Sequence, residues 1–186
     1  MAQHQYDPKT ILLHWLSAIA IVLLWALGQG IDMVPSGFYK INVRSVHICL
    51  GSLFFFVMIY RFYWRMQVKN QGEALVEVSM DWSEKFKLTF HYLLYLLALL
   101  TLILGLVAVW YRGVNMFDLF RIPGVDVNNK YLRRLLVTIH AYLANGLMIA
   151  AGLHLLVALW HHYVRKDDVL INMLPKAVAI DLTVDQ

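Results

Sequence analysis

Four long apolar stretches alternate with short polar ones along this chain. The first runs from Thr10 to Gly28, broken only by His14, Ser17 and two tryptophans. Asp7-Pro8 ahead of it reads as a helix start, with a capping carboxylate followed by a proline whose missing N–H does no harm there. The second begins near Asn42 and runs to about Trp64, carrying His47 near its start and Gly51 one turn on; Arg61 and Arg65 at its end are long enough to reach an interface. Asp81-Trp82-Ser83-Glu84 has the form of a capping box before the third, Lys85 to Trp110, which Tyr111-Arg112-Gly113 closes. The fourth, Asn129 to Arg165, reaches about 55 Å at ~1.5 Å per residue, ample for a hydrocarbon layer of ~30 Å. Spans are therefore expected at about 9–29, 42–65, 84–111 and 130–164. Gly30 to Ile41, with Pro35-Ser36-Gly37, is expected as a loop. So are Gln67 to Met80, which carries Glu73 and Glu77, and the segment around Pro123-Gly124. The tail beyond Arg165-Lys166-Asp167-Asp168, with Pro175, is expected at the surface. The fold class is all-α, a single integral membrane four-helix bundle covering 1–186.

Composition narrows this further. The chain is 60% hydrophobic, which places it among membrane proteins, and its net charge of +4 comes without a Lys/Arg run, so nucleic-acid binding has no support. The single cysteine, Cys49, excludes an internal disulfide, a Cys-x-x-Cys site and the Cys-x-x-Cys-His attachment of c-type haem; it reads as a packed small hydrophobe. Ala26-Leu27-Gly28 imitates a signal-peptide cleavage site. The basic residues before it are few, however, and a histidine inside the apolar stretch is foreign to a discarded segment, so the stretch is read as a retained span. Four spans put both termini on one side. With that side cytoplasmic, nine Lys/Arg lie inside and seven outside, a weak positive-inside vote; the outer seven face only three acids. The residues alone leave the orientation open.

The histidines carry the chemistry. His14, His47, His91, His140 and His154 lie in or at the edges of the spans, where an ionisable side chain is costly and functional by default. The ordinary alternative for any one of them is a neutral imidazole hydrogen-bonded to a neighbouring helix. The set speaks against that alternative. Fourteen residues separate His140 from His154, about 40° short of four full turns, so both rings leave one face of the fourth helix roughly 21 Å apart along its axis. Ala144, Leu147, Ala151 and Ala158 continue that face, mostly small residues against which a flat group can lie. His47 stands at the depth of His140, and His14 at the depth of His154. Two facing pairs at two depths are what two six-coordinate haems require, and iron with both axial positions taken by imidazole passes electrons rather than activating oxygen. His91 enters the inner half on the third span and competes with His14 as partner of His154. Zinc or copper is disfavoured, because the outer pair lacks a third ligand. His161 extends the ligand face about 10 Å beyond His154, where it can hydrogen-bond a quinone carbonyl; His162 points elsewhere, into solvent.

The polar and glycine positions also resemble a known pattern. His14-Trp15, His47-x-x-x-Gly51, His91 with Gly105 and Tyr111-Arg112-Gly113 are shared. So, on the fourth helix, are His140, Leu143-Ala144-Asn145, Gly152-Leu153-His154, His161-His162-Tyr163, Lys166-Asp167 and Met173-Leu174-Pro175. Over nearly its whole length the chain is similar to the bacterial cytochrome b561 family, and within it to the superoxide-oxidising members of the inner membrane. The resemblance implies a bacterial inner-membrane, multi-pass cytochrome with two haem b and cytoplasmic termini. It pairs His14 with His154 and His47 with His140. It also implies electron transfer from superoxide outside to ubiquinone near His161. Glu73 and Glu77 depart from it, standing where a proline- and lysine-rich stretch is expected. With cytoplasmic termini the outer face carries the whole net charge, and Arg112, Arg133 and Arg134 are candidates to steer a small anion, or else to anchor lipid phosphate and haem propionates. The expected partners are membrane lipid, quinone, and superoxide or a redox partner protein. The main rival is the cytochrome b anchor subunit of a hydrogenase or dehydrogenase; a helical transporter without haem is a third reading.

Overall fold

A computed structural model describes residues 6–72 and 82–175 of the chain. Four helices dominate: α1 (Pro8–Met33), α2 (Phe38–Gly72), α3 (Trp82–Arg112) and α4 (Lys130–Trp160), the last continued by one π-helical turn at His161–Arg165. Each supplies a stretch long and apolar enough to cross a membrane: Pro8–Met33, Phe38–Val68, Lys85–Arg112 and Lys130–Arg165. The architecture is the all-α membrane bundle that the hydrophobic pattern demands. α1 lies chiefly against α2 and α3 chiefly against α4, while α2–α3 and α1–α4 contacts close the bundle. The second polar connection also starts later than expected: 67–72, expected as loop, continue α2 as helix, because a helix end in a membrane bundle can run on into the polar zone. Glu73, Glu77, Asp81 and the tail beyond Pro175 lie outside the described residues, and with them the rest of that connection and the first residue of the capping box.

The helix starts obey local chemistry. The Asp7 carboxylate accepts the Thr10 N–H at 3.0 Å and Pro8 occupies the first turn, so α1 begins where expected. Asn129 caps α4 in the same way, accepting from the Leu132 N–H at 3.0 Å. The first connection differs from expectation. Gly28 and Gly30 do not end α1, which continues to Met33; α2 already begins at Phe38, so the loop shrinks to 34–37. Glycine is tolerated inside membrane helices, where neighbouring helices rather than propensity hold the backbone. The actual stop is Pro35 with Gly37, whose φ of +106° turns the chain, and a Lys40–Asp32 ion pair at 3.2 Å bridges the turn.

The connection from α3 to α4 holds the one feature outside an all-α reading among the described residues. Val114–Met116 and Phe120–Ile122 form an antiparallel hairpin, with Phe117 and Asp118 both at positive φ in its turn. Val114 and Met116 are buried, and the Phe117 N–H donates to Ser45 Oγ at 2.9 Å, which docks the hairpin on α2 two residues from His47. The chain after the hairpin returns to cap α3, the Val125 and Asp126 N–H groups reaching the Trp110 and Tyr111 carbonyls. Two other expectations change. Cys49 is exposed on the outward side of α2 rather than packed, since a lipid-facing position needs only an apolar group. The described part of the tail is not a loose surface segment: Ile171 is buried and Trp15 Nε1 donates to the Met173 carbonyl at 2.8 Å, tying 171–173 to α1.

The core lies at mid-depth, where Phe54 and Met58 of α2, Ala98 and Leu102 of α3 and Leu147 of α4 meet. Leu147 stands midway between His140 and His154, so this apolar plug separates the two histidine levels.

The outer connection rests on two glycines in close approach. A Cβ on Gly124 would lie 2.5 Å from the Arg112 carbonyl carbon and 2.5 Å from the Gly113 nitrogen, and Gly113 itself holds φ of +66°. Gly124→Ala is therefore expected to open the α3–hairpin junction and destabilise the purified protein by more than the ~1–3 kcal/mol that a strained backbone alone costs, read as a lower melting temperature. Unchanged melting would show that the junction yields freely.

Candidate functional site

Two imidazole pairs face each other across the bundle. At the level nearer the α3–α4 hairpin, here labelled outer, His47 of α2 and His140 of α4 have ring centres 6.2 Å apart; at the level nearer the termini, labelled inner, His14 of α1 and His154 of α4 stand 6.3 Å apart. The ring planes cross at 89° and 61°. A metal held in line between two imidazoles by bonds of about 2 Å each, with the distance from each nitrogen to its ring centre added, sets the centres about 6 Å apart. Both pairs meet that spacing. His91 is the nearest ring to His154, but at 5.2 Å it is too close to share a metal across a straight axis, and its Nδ1 lies 2.7 Å from the Lys87 carbonyl of its own helix.

The surroundings of the outer pair suit ligands. His140 Nδ1 lies 2.8 Å from the Thr101 carbonyl, an arrangement in which the ring donates from Nδ1 and leaves the Nε2 lone pair for a metal. Gly105, one turn beyond Thr101 on α3, opens the way for this contact: a Cβ there would come within 3.0 Å of His140 Cε1. Gly28 plays the same part on α1, where a Cβ would stand 3.3 Å from His47 Cε1. His47 Nδ1 is a buried polar atom without a hydrogen-bond partner among the described residues, with the Leu24 carbonyl close but short of hydrogen-bond geometry. On the inner level Phe90 lies parallel to His154, ring centres 6.3 Å apart at 17°. Imidazole donors at metal spacing, glycine clearances beside His47 and His140 and an aromatic wall beside His154 suit the chemistry of haem ligation.

Arginine gathers at the outer end. A cleft of about 430 Å³ is lined by Arg112, Arg121 and Arg133 with Asn115 and Asp118 of the hairpin, and Arg44 and Arg133 are the charged neighbours of Arg112. Arg134 does not line this cleft, because the next step around α4 carries it away from the Arg133 side. Arg44 stands near Arg112 without lining the cleft, an arginine outside the expected set. Its signal in the sequence was its position three residues before His47, which puts it on nearly the same face of α2 one turn towards the outside.

The inner end is built differently. His161 is buried, and its Nδ1 lies 2.6 Å from Asp167 Oδ2 across the π turn, with the Asp167 N–H returning to the His161 carbonyl. Burial works to raise the Asp167 pKa, but hydrogen bonds from His161 and the Val169 N–H, with the charges of His161 and Arg165, hold it below the usual carboxylate range. His162 is buried as well, not solvated: the wider π turn places its ring edge-on to Tyr163 at 4.8 Å. Arg61 is likewise not at an interface: its Nη2 lies 3.1 Å from His14 Nδ1.

Gly105→Ala is expected to push the His140 ring off its Thr101 contact and lower haem content at one site only, with Gly28→Ala milder because its clearance is larger. Pyridine haemochrome assay against protein concentration checks this; full haem content in Gly105→Ala would show that the ring relocates without cost.

Comparisons with known proteins accord with this geometry. A family model described as prokaryotic cytochrome b561 matches residues 5–176. A protein named probable superoxide oxidase CybB, from Yersinia pestis, is 27% identical over 173 residues, covering 92% of this chain and 97% of its own. Cytochrome b561 homolog 1 of Escherichia coli (strain K12) is 25% identical over 177 residues, covering 93% and 98%; homolog 2 is 26% identical over 180 residues, covering 93% of each. With four membrane-crossing helices and a family match over nearly its whole length, the chain belongs to the prokaryotic cytochrome b561 family, multi-pass inner-membrane proteins of bacteria that bind haem b and transfer electrons.

Proposed function

We propose that this protein is a superoxide:ubiquinone oxidoreductase with two haem b, His47 and His140 holding the outer one and His14 and His154 the inner, and with both termini cytoplasmic. What supports the reading most is the repetition of one imidazole spacing, 6.2 Å and 6.3 Å, at two levels on either side of an apolar plug. Bound haem supplies a reversible one-electron couple at each level. With histidine on both sides the iron would have no open position, and a donor would have to pass its electron at the edge of the site.

The outer cleft supports a small anionic donor. Arg44, Arg112 and Arg133 cluster with few acids to neutralise them, and such a surface raises the encounter rate of an anion in a salt-dependent way. Two superoxide anions each lose one electron and leave as oxygen. The two electrons, with two protons from the inner side, convert one ubiquinone to ubiquinol. His161 is the candidate for the quinone carbonyl: the Asp167 carboxylate takes its Nδ1–H and leaves Nε2 free to hydrogen-bond the acceptor. The likeness to a protein named as a probable superoxide oxidase favours the same donor.

Stopped-flow mixing of the purified protein with superoxide, then with a ubiquinone analogue, tests this. Superoxide is expected to reduce the haem at a rate falling about tenfold from low to high salt, and an Arg112→Gln/Arg133→Gln chain is expected to react more slowly with a flatter salt response. His161→Ala should slow reoxidation by quinone while leaving reduction unchanged. Haem that ignores superoxide but exchanges electrons with quinone would overturn the donor and favour an anchor subunit serving a hydrogenase or dehydrogenase.

A further inference from the structure

Arg61 takes no part in the chemistry described above, and its position demands an explanation. It lies within the membrane-crossing part of α2, which extends to Val68. Its guanidinium sits over the Tyr95 ring at 5.1 Å, with Arg65 over the same ring at 5.5 Å. Among the described residues no carboxylate comes within ion-pair distance of it. A guanidinium at this depth is costly unless an anion offsets it. Tyr95 offers it a hydroxyl as well as a ring face, but a neutral hydroxyl leaves the charge in place and an aromatic face is worth only about 0.5–2 kcal/mol.

Its contact with His14 cannot be that offset. An imidazole that binds a metal through Nε2 keeps its proton on Nδ1 and donates with it, as His140 can to the Thr101 carbonyl at 2.8 Å. Arg61 presents only N–H donors, and its Nη2 faces His14 Nδ1 at 3.1 Å. Once His14 ligates through Nε2, two N–H groups oppose each other there. The guanidinium must then turn to an acceptor within its own reach, one that is anionic and lies beside the inner histidine pair.

We propose that Arg61 is the counter-cation of a propionate carboxylate on the haem held by His14 and His154, a reading that rests on that pair being haem ligands. The planar fork of arginine matches a carboxylate in two parallel hydrogen bonds, which a lysine cannot reproduce. Tyr95 supports the guanidinium from one face, and Arg65 adds a second positive charge nearby. By offsetting a negative charge close to the iron, Arg61 favours the reduced state of the inner haem and releases His14 Nδ1 to donate elsewhere.

The test uses quinone-free holoprotein, comparing wild type with Arg61→Gln and Arg61→Lys by potentiometric titration of both haems and by the propionate bending mode in resonance Raman. Arg61→Gln is expected to keep two low-spin haems. One of them should lose about tenfold in electron affinity, a fall of about 59 mV for one electron, with its propionate mode shifted and the other haem unmoved. Arg61→Lys should recover part of the potential without restoring the mode. Unmoved potentials and an unmoved mode in Arg61→Gln would overturn the proposal. If Arg61→Gln loses the inner haem, Arg61→Lys decides: a shifted mode supports the pairing and an unshifted one overturns it. Wild-type protein with fewer than two low-spin haems would instead overturn the ligand reading itself.

Discussion

The interval between two histidines on one helix governs this structure. Fourteen residues of α4 separate His140 from His154, close to four turns, so both rings leave the same side at two depths. Everything facing that side has to supply a second imidazole at the matching level and nothing bulky between. α2 brings His47 to the outer level and α1 brings His14 to the inner one, each at nearly the same ring separation. Leu147, halfway along the interval, packs with Phe54, Met58, Ala98 and Leu102, which holds the levels apart and excludes water from the space between them.

Around this frame the two ends have opposite chemistry. The outer end collects arginines about a cleft roofed by a docked hairpin, a setting for an anion arriving from water. The inner end carries a histidine–carboxylate pair on a π turn, a setting for hydrogen bonding and proton exchange. Beside the outer pair the glycines at Gly28 and Gly105 do a single job: they remove side chains where an imidazole edge approaches a neighbouring helix. In a membrane bundle such clearances also permit close helix packing, so their positional meaning emerges only when the ring beside each is known.

That distinction explains what the sequence disclosed and what it withheld. Long apolar runs and in-span histidines are strong signals, because lipid tolerates neither exposed backbone nor idle ionisable groups. The bundle and the facing of His140 and His154 were therefore legible. Helix ends were not: Gly28 and Gly30 look like terminators in water, whereas here α1 runs through them to Met33. The hairpin escaped notice because three-residue strands carry too little alternation to register. Nearness to a helix end points Arg61 towards an interface, and only the fold reveals that it turns towards His14 and Tyr95. His162 and Cys49 exchanged their expected places for a similar reason, since burial at a bundle end depends on how the last turn winds, and lipid-facing positions look like core ones by composition.

The central claim is that four histidines act as two pairs, each within one level. Haem content and the low-spin spectrum of four single alanine variants measure this directly. His47→Ala and His140→Ala should each remove the same haem, His14→Ala and His154→Ala the other, with one haem kept in every case. A His14→Ala protein that keeps both haems, or a His47→Ala protein that loses the same haem as His154→Ala, would contradict the account.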